Sequence, residues 1–133
     1  MTTAYLDASA IVKLFKPEHE SVSLAEALGA YDLWVSNEVV AVEALCTARR
    51  AGGGAMVAAA EALMASVELM PLTASLRERA AAPFDRPLRA LDAIHAATAV
   101  SVAEDIAAVV TYDADLFGAL KAEGLAVFAP GPV

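Results

Sequence analysis

The chain has 133 residues, a length that suits one domain spanning 1–133 around a single core. Hydrophobic residues make up 59 % of it, yet no apolar run reaches the roughly 18–20 unbroken residues that a membrane span needs. Nine Lys and Arg against 17 Asp and Glu leave a formal charge of −8. That balance speaks against a general nucleic-acid binder with a basic face, and for a basic protein partner or a site where metal ions offset acids.

In chain order, TAYL reads as a short strand and ASAIVKLF as the helix that follows it. DLWVS is the next strand, and NEVVAVEALCTARRAG is a helix that Gly52, Gly53 and Gly54 are expected to stop. AMVAAAEALMAS then forms a second long helix, so an αα-hairpin is expected around Gly52. VELMPL is a strand and TASLRERAA a helix, with Pro83 and Pro87 bracketing the loop after it. LRALDAIHAATAVSV is helical, AVVTY is a strand, ADLFGALKAEG is a helix closed by Gly124, and LAVFA is a last strand. Such alternation with short links implies an α/β fold, a mostly parallel sheet covered by helices. The N-terminus has no basic segment ahead of its apolar run, which argues against a signal peptide. Cys46 is the one cysteine, so no internal disulfide forms and a reducing cytoplasm is the expected compartment.

Four carboxylates stand where apolar residues are expected. Asp7 and Asp113 each follow an apolar strand and open a helix, which puts both at the carboxyl edge of the sheet, where ligands bind in such folds. Helix capping explains either one alone. Glu43 shares i, i+4, i+7 spacing with Val39 and Cys46, on or beside an inward helix stripe; its ordinary explanation is a boundary position or a pair with Arg50. Glu38 is accounted for by the first turn after a cap at Ser36. Asp92 has His95 one turn further along the same face, and it too has a capping explanation after the proline loop. His95 alone, with no second His or Cys at ligand spacing, gives little support for zinc. The coincidence weighs more than each case. Two carboxylates about 5 Å apart repel by roughly 3 kcal/mol at an effective dielectric near 20, and a divalent cation reverses that sign. Oxygen-only ligands suit Mg²⁺ or Mn²⁺.

In order and spacing, TAYLDASAIVKLF, the VEAL segment carrying Glu43, LDAIHAATA and VVTYDADL resemble the PIN-domain ribonucleases, above all the VapC toxins of type II toxin–antitoxin pairs. LDAIHAATA is the most distinctive of these motifs. The resemblance implies a three-layer α/β/α fold with a central, mostly parallel sheet. It implies Mg²⁺- or Mn²⁺-dependent endonucleolytic cleavage of RNA, in VapC toxins usually tRNA or ribosomal RNA. It carries catalytic roles onto Asp7, Glu43, Asp92 and Asp113. Asp7 and Asp92 are then the main metal ligands, Asp113 completes the site directly or through water, and Glu43 binds a second ion or orients the attacking water. Ser9 and Thr111 match small hydroxyl positions that support the acids or contact metal-bound water. Asp115 either extends the metal site or starts a helix. His95 falls within the motif without a catalytic role in the family.

The resemblance also implies a VapB-like antitoxin whose tail wraps the toxin and sets Arg or Lys among the acids, and a homodimer. RNA would approach along Lys13, Lys16, Arg49, Arg50, Arg86 or Arg89. Two other readings have less behind them. A haloacid-dehalogenase-type phosphatase wants a second Asp where Ser9 stands, and a receiver domain wants an acid pair and a late Lys that are absent. A PIN-like domain that binds RNA or a partner without cutting is the other, although it keeps all four acids.

Overall fold

Alternation within β1 (Thr3–Leu6) sends Ala4 and Leu6 into one apolar cluster and Tyr5 into another, so this strand is covered on both sides. The computed structural model describes residues 2–132. β2 (Leu33–Asn37), β3 (Val67–Met70), β4 (Ala108–Val110) and β5 (Val127–Phe128) join β1 in one sheet ordered β3-β2-β1-β4-β5, with every pairing parallel. On the Ala4 and Leu6 side lie α1 (Ala8–Phe15), α2 (Ser21–Leu28) and α3 (Val39–Met64), through Ile11, Leu24, Leu28, Val40 and Ala44. On the Tyr5 side lie α5 (Ala90–Ser101) and α6 (Ala114–Ala122), through Ala96, Ala99, Leu116 and Leu120. α4 (Ala74–Ala81) packs on α5. The result is the expected three-layer α/β/α arrangement.

Several local expectations need correction. The glycine run does interrupt the helix after β2, but at one residue: Gly53 leaves helical geometry, at φ 61° and ψ −145°, so two helical segments are joined there with no loop between them. Gly52 and Gly54 stay inside the helix, because glycine tolerates but does not require a break. Ser36 is no cap: it is a buried residue of β2, and the Asn37 side chain instead accepts the Val39 N–H at 3.0 Å. Glu38 accepts a hydrogen bond from the Leu72 N–H, which accounts for it better than the helix dipole. AVVTY is a strand only to Val110, leaving Thr111 and Tyr112 to turn across the sheet edge. α2 is an element that the sequence did not announce.

Candidate active site

β1 and β4 are neighbours in the sheet but far apart in sequence, and the connections from them run to opposite flanks. The crevice between their carboxyl ends is therefore the topological switch point, the place where open α/β sheets bind ligands. Register pairs Leu6 with Val110, so Asp7 and Thr111 emerge side by side. Thr111 Oγ1 donates to Asp7 Oδ2 at 2.7 Å, Ser9 Oγ donates to Asp7 Oδ1 at 2.7 Å, and the Ala10 N–H reaches the same Oδ1 at 3.1 Å. Asp7 is thus the N-cap of α1 and more than a cap. It is 2 % exposed, and burial pushes its carboxyl above the usual range against the opposing pull of the Thr111 hydroxyl.

Ser9 and Thr111 are the clamps of this cluster. Ser9 Oγ also accepts the Tyr112 N–H at 2.8 Å, and Thr111 Oγ1 accepts the Asp113 N–H at 3.1 Å. Asp113 caps α6 through Oδ1, which takes the Leu116 N–H at 2.9 Å; Oδ2 has no bond to the described residues. The capping explanation is right for both Asp7 and Asp113, and it leaves acceptor capacity on each for a ligand.

Asp92 is different. α5 begins at the cap Arg89, which makes no side-chain bond, and Asp92 sits in the first turn without capping anything. Half-buried, it accepts no hydrogen bond among the described residues. Loss of water, then the charges of Asp113, Asp7 and Glu43, push its carboxyl up to about 6. That repulsion shows that Asp92 lies within electrostatic reach of the other three acids.

Glu43 lies beside the inward stripe of α3, which runs through Val40, Ala44 and Ala48. Val39 is only partly covered and Cys46 is exposed, so they are not that stripe. The partner of Glu43 is not Arg50 but His95, whose Nε2 stands 2.7 Å from Oε1. His95 is 1 % exposed, and its Nδ1 meets the Tyr5 hydroxyl at 2.7 Å. Sequence reading left this histidine without a task; its two bonds span 52 and 90 residues, which no local pattern reveals.

Beside Glu43 runs a groove of about 470 Å³ lined by Val39, Val42, Cys46, Arg50 and Leu91. Asp115 is exposed in the first turn of α6, where an acid favours the helix start. Of the cations expected to meet RNA, Lys13 is engaged by Glu18 at 3.4 Å and Glu20 at 3.2 Å and lies over the Tyr112 ring. Arg86 rests against Gly118 of α6, where a Cβ would collide with its guanidinium. Arg49, Arg50 and Arg89 are exposed.

Among the described residues, no group of three or more His, Cys, Asp or Glu side chains forms a ready metal cage. The donor set nevertheless suits a hard dication. All four groups are carboxylates, Asp92 accepts no hydrogen bond from the described residues, and Mg²⁺ asks for only one or two carboxylates with water completing its shell.

The family model described as PIN domain matches residues 4–122. Ribonuclease VapC35 of Mycobacterium tuberculosis is 39 % identical over 131 residues, covering 96 % of each chain. Ribonuclease VapC46 of the same species is 36 % identical over 130 residues, covering 98 % of this chain and 99 % of its own. Among solved structures, Mycobacterium tuberculosis VapC20, titled a sarcin–ricin loop cleaving toxin, superposes with a TM-score of 0.75 at 20 % identity over 96 % of this chain and 99 % of that one. A toxin–antitoxin complex from Klebsiella pneumoniae gives 0.73 at 18 % identity, over 98 % and 99 %. Acids gathered at the switch point of a parallel sheet, and likenesses that run almost from end to end, lead to one conclusion: the chain belongs to the PIN domain family, in its VapC group of ribonuclease toxins.

Proposed function

We propose that this chain, acting as one domain over 1–133, is a Mg²⁺- or Mn²⁺-dependent endoribonuclease that cuts tRNA or ribosomal RNA in the cytoplasm. Asp92 is the observation that carries the reading: a half-buried carboxylate with no donor among the described residues, set against the charges of Asp113, Asp7 and Glu43. Such an arrangement is costly for folding alone and useful for holding a cation.

Asp7, Asp92 and Asp113 would hold the ion, which when bound supplies a Lewis acid and lowers the pKa of water. Ser9 and Thr111 hold the Asp7 carboxylate in one orientation. Glu43, with Oε1 tied to His95, offers Oε2 to orient the attacking water and accept its proton. No protein nucleophile is required. Asp115 plays no part beyond the start of α6. RNA reaches the cluster past Arg89 and the exposed arginines of α3, which meet its phosphates.

A VapB-like antitoxin is the natural inhibitor, because the acids that attract a dication also attract an Arg or Lys from its tail. The protein would act as a homodimer. No helix of the described residues is long and apolar enough to cross a membrane.

The test is cleavage of RNA by purified protein with Mg²⁺ or Mn²⁺, with EDTA as control. Asp7→Asn keeps the cap, since an amide oxygen still accepts the Ala10 N–H, and should lower cleavage by about 100-fold or more. Undiminished cutting by a correctly folded Asp7→Asn protein would rule out the assignment.

A further inference from the structure

Four elements place a buried chain of hydrogen bonds behind Glu43. At the end of β2 the Asn37 N–H points at the Tyr5 hydroxyl, 3.2 Å away. An amide N–H can only donate, so the tyrosine proton turns away from it. The shortest contact of the hydroxyl is with His95 Nδ1 at 2.7 Å, which receives that proton with its lone pair, while the Ser36 and Thr98 hydroxyls flank the same tyrosine oxygen. At the other end, Glu43 Oε1 lies 2.7 Å from Nε2, and a carboxylate only accepts. The shortest contacts at the two ends point to the same ring: lone pair on Nδ1, hydrogen on Nε2. The scaffold is rigid. Asn37 is itself held, with Nδ2 donating to Thr98 Oγ1 at 3.1 Å and Oδ1 accepting from Val39. The Tyr5 and His95 rings meet edge to face at 5.9 Å and 73°.

We propose that Tyr5 and His95 are positioning residues for Glu43: Tyr5 locks the imidazole in its neutral Nε2–H tautomer, and that single N–H pins Oε1 and leaves Oε2 for water. Without Tyr5 the ring can exchange its proton between nitrogens, and the Nδ1–H form presents a lone pair to a carboxylate and repels it. Outer partners that orient a metal-site side chain in this way typically carry 10–100-fold in activity (an order-of-magnitude range). The catalytic half of this inference rests on the nuclease reading; the tautomer half does not.

Two experiments on the full chain test it. Long-range ¹H–¹⁵N spectra report the protonation of each ring nitrogen, with exposed His19, the other histidine, as internal reference. His95 should show a protonated Nε2 and an unprotonated Nδ1, and Tyr5→Phe should bring in the second tautomer. An Nδ1–H ring or a doubly protonated one in the unaltered protein overturns the proposal, whether or not any RNA is cut. In turnover assays on a fluorogenic RNA oligonucleotide, Tyr5→Phe should lower kcat on the order of tenfold with KM little changed. In a Glu43→Gln background the same change should cost nothing further, because the group being positioned has gone. An equal loss in both backgrounds means that Tyr5 serves only the core, and the positioning role falls.

Discussion

Asp92 accepts no hydrogen bond from the described residues and faces three like charges, so its carboxyl keeps a proton up to about pH 6 where an ordinary aspartate loses it near 3.8. The sign follows directly. The folded chain binds this proton more tightly than the unfolded chain, so the associated stability is complete below 3.8 and is lost as pH rises through about 6. Asp7 moves in the same direction, because it too is desolvated. Metal-free protein should therefore melt lower at neutral pH than near pH 5. Asp92→Asn should recover part of that loss, raising Tm at neutral pH by about 4 °C while abolishing cleavage. Equal melting of the two proteins in EDTA at neutral pH would show that Asp92 carries no such strain. At this scale much was legible in the sequence. Each acid stood beside apolar segments, and the family resemblance pointed to the small hydroxyls at Ser9 and Thr111. What could not be read was pairing across distance. Arg50, one helical neighbourhood from Glu43, was the visible candidate, while its actual partner His95 stands on another element.

Elements were legible where strands and helices carried their own punctuation. β1, β2 and β4 announced themselves by short apolar runs, and α1 and α6 by the aspartates that cap them. α2 went unseen although Leu24 and Leu28, one turn apart, are its buried face; its start, at Glu20, has no side-chain cap to mark it. In α3 the glycine run was legible as an interruption, although the break falls on Gly53 alone and needs no loop. Gly53 occupies φ 61° with ψ −145°, a region that side chains other than hydrogen rarely adopt. Gly53→Ala should cost about 1–3 kcal/mol in denaturant unfolding. Gly54→Ala, in helical geometry with open space around its Cα, should stabilise by about 0.5–1 kcal/mol. The pair separates a required break from a tolerated glycine. If both alanines behave alike, the break at Gly53 is not a fixed property of the fold.

For the molecule as a whole, the sheet order β3-β2-β1-β4-β5 matters most, because it brings Asp7 and Asp113 to one crevice. Sequence alternation foretold a parallel sheet but not its order, which is decided by how five strands share two apolar faces. A dication bound there stabilises only the folded chain. Titrating Mg²⁺ or Mn²⁺ should raise Tm progressively, with about 2.7 kcal/mol gained at a hundred times Kd. Asp92→Asn should flatten that titration. A melting point indifferent to either ion would remove the metal from the site.

The hydroxyl that clamps Asp7 comes from a residue 104 positions later. A growing polypeptide that has not yet released β4 has neither Thr111 nor Asp113 to set beside β1. Under the nuclease proposal, a chain still being translated could cut RNA only once Thr111 and Asp113 have emerged from the ribosome.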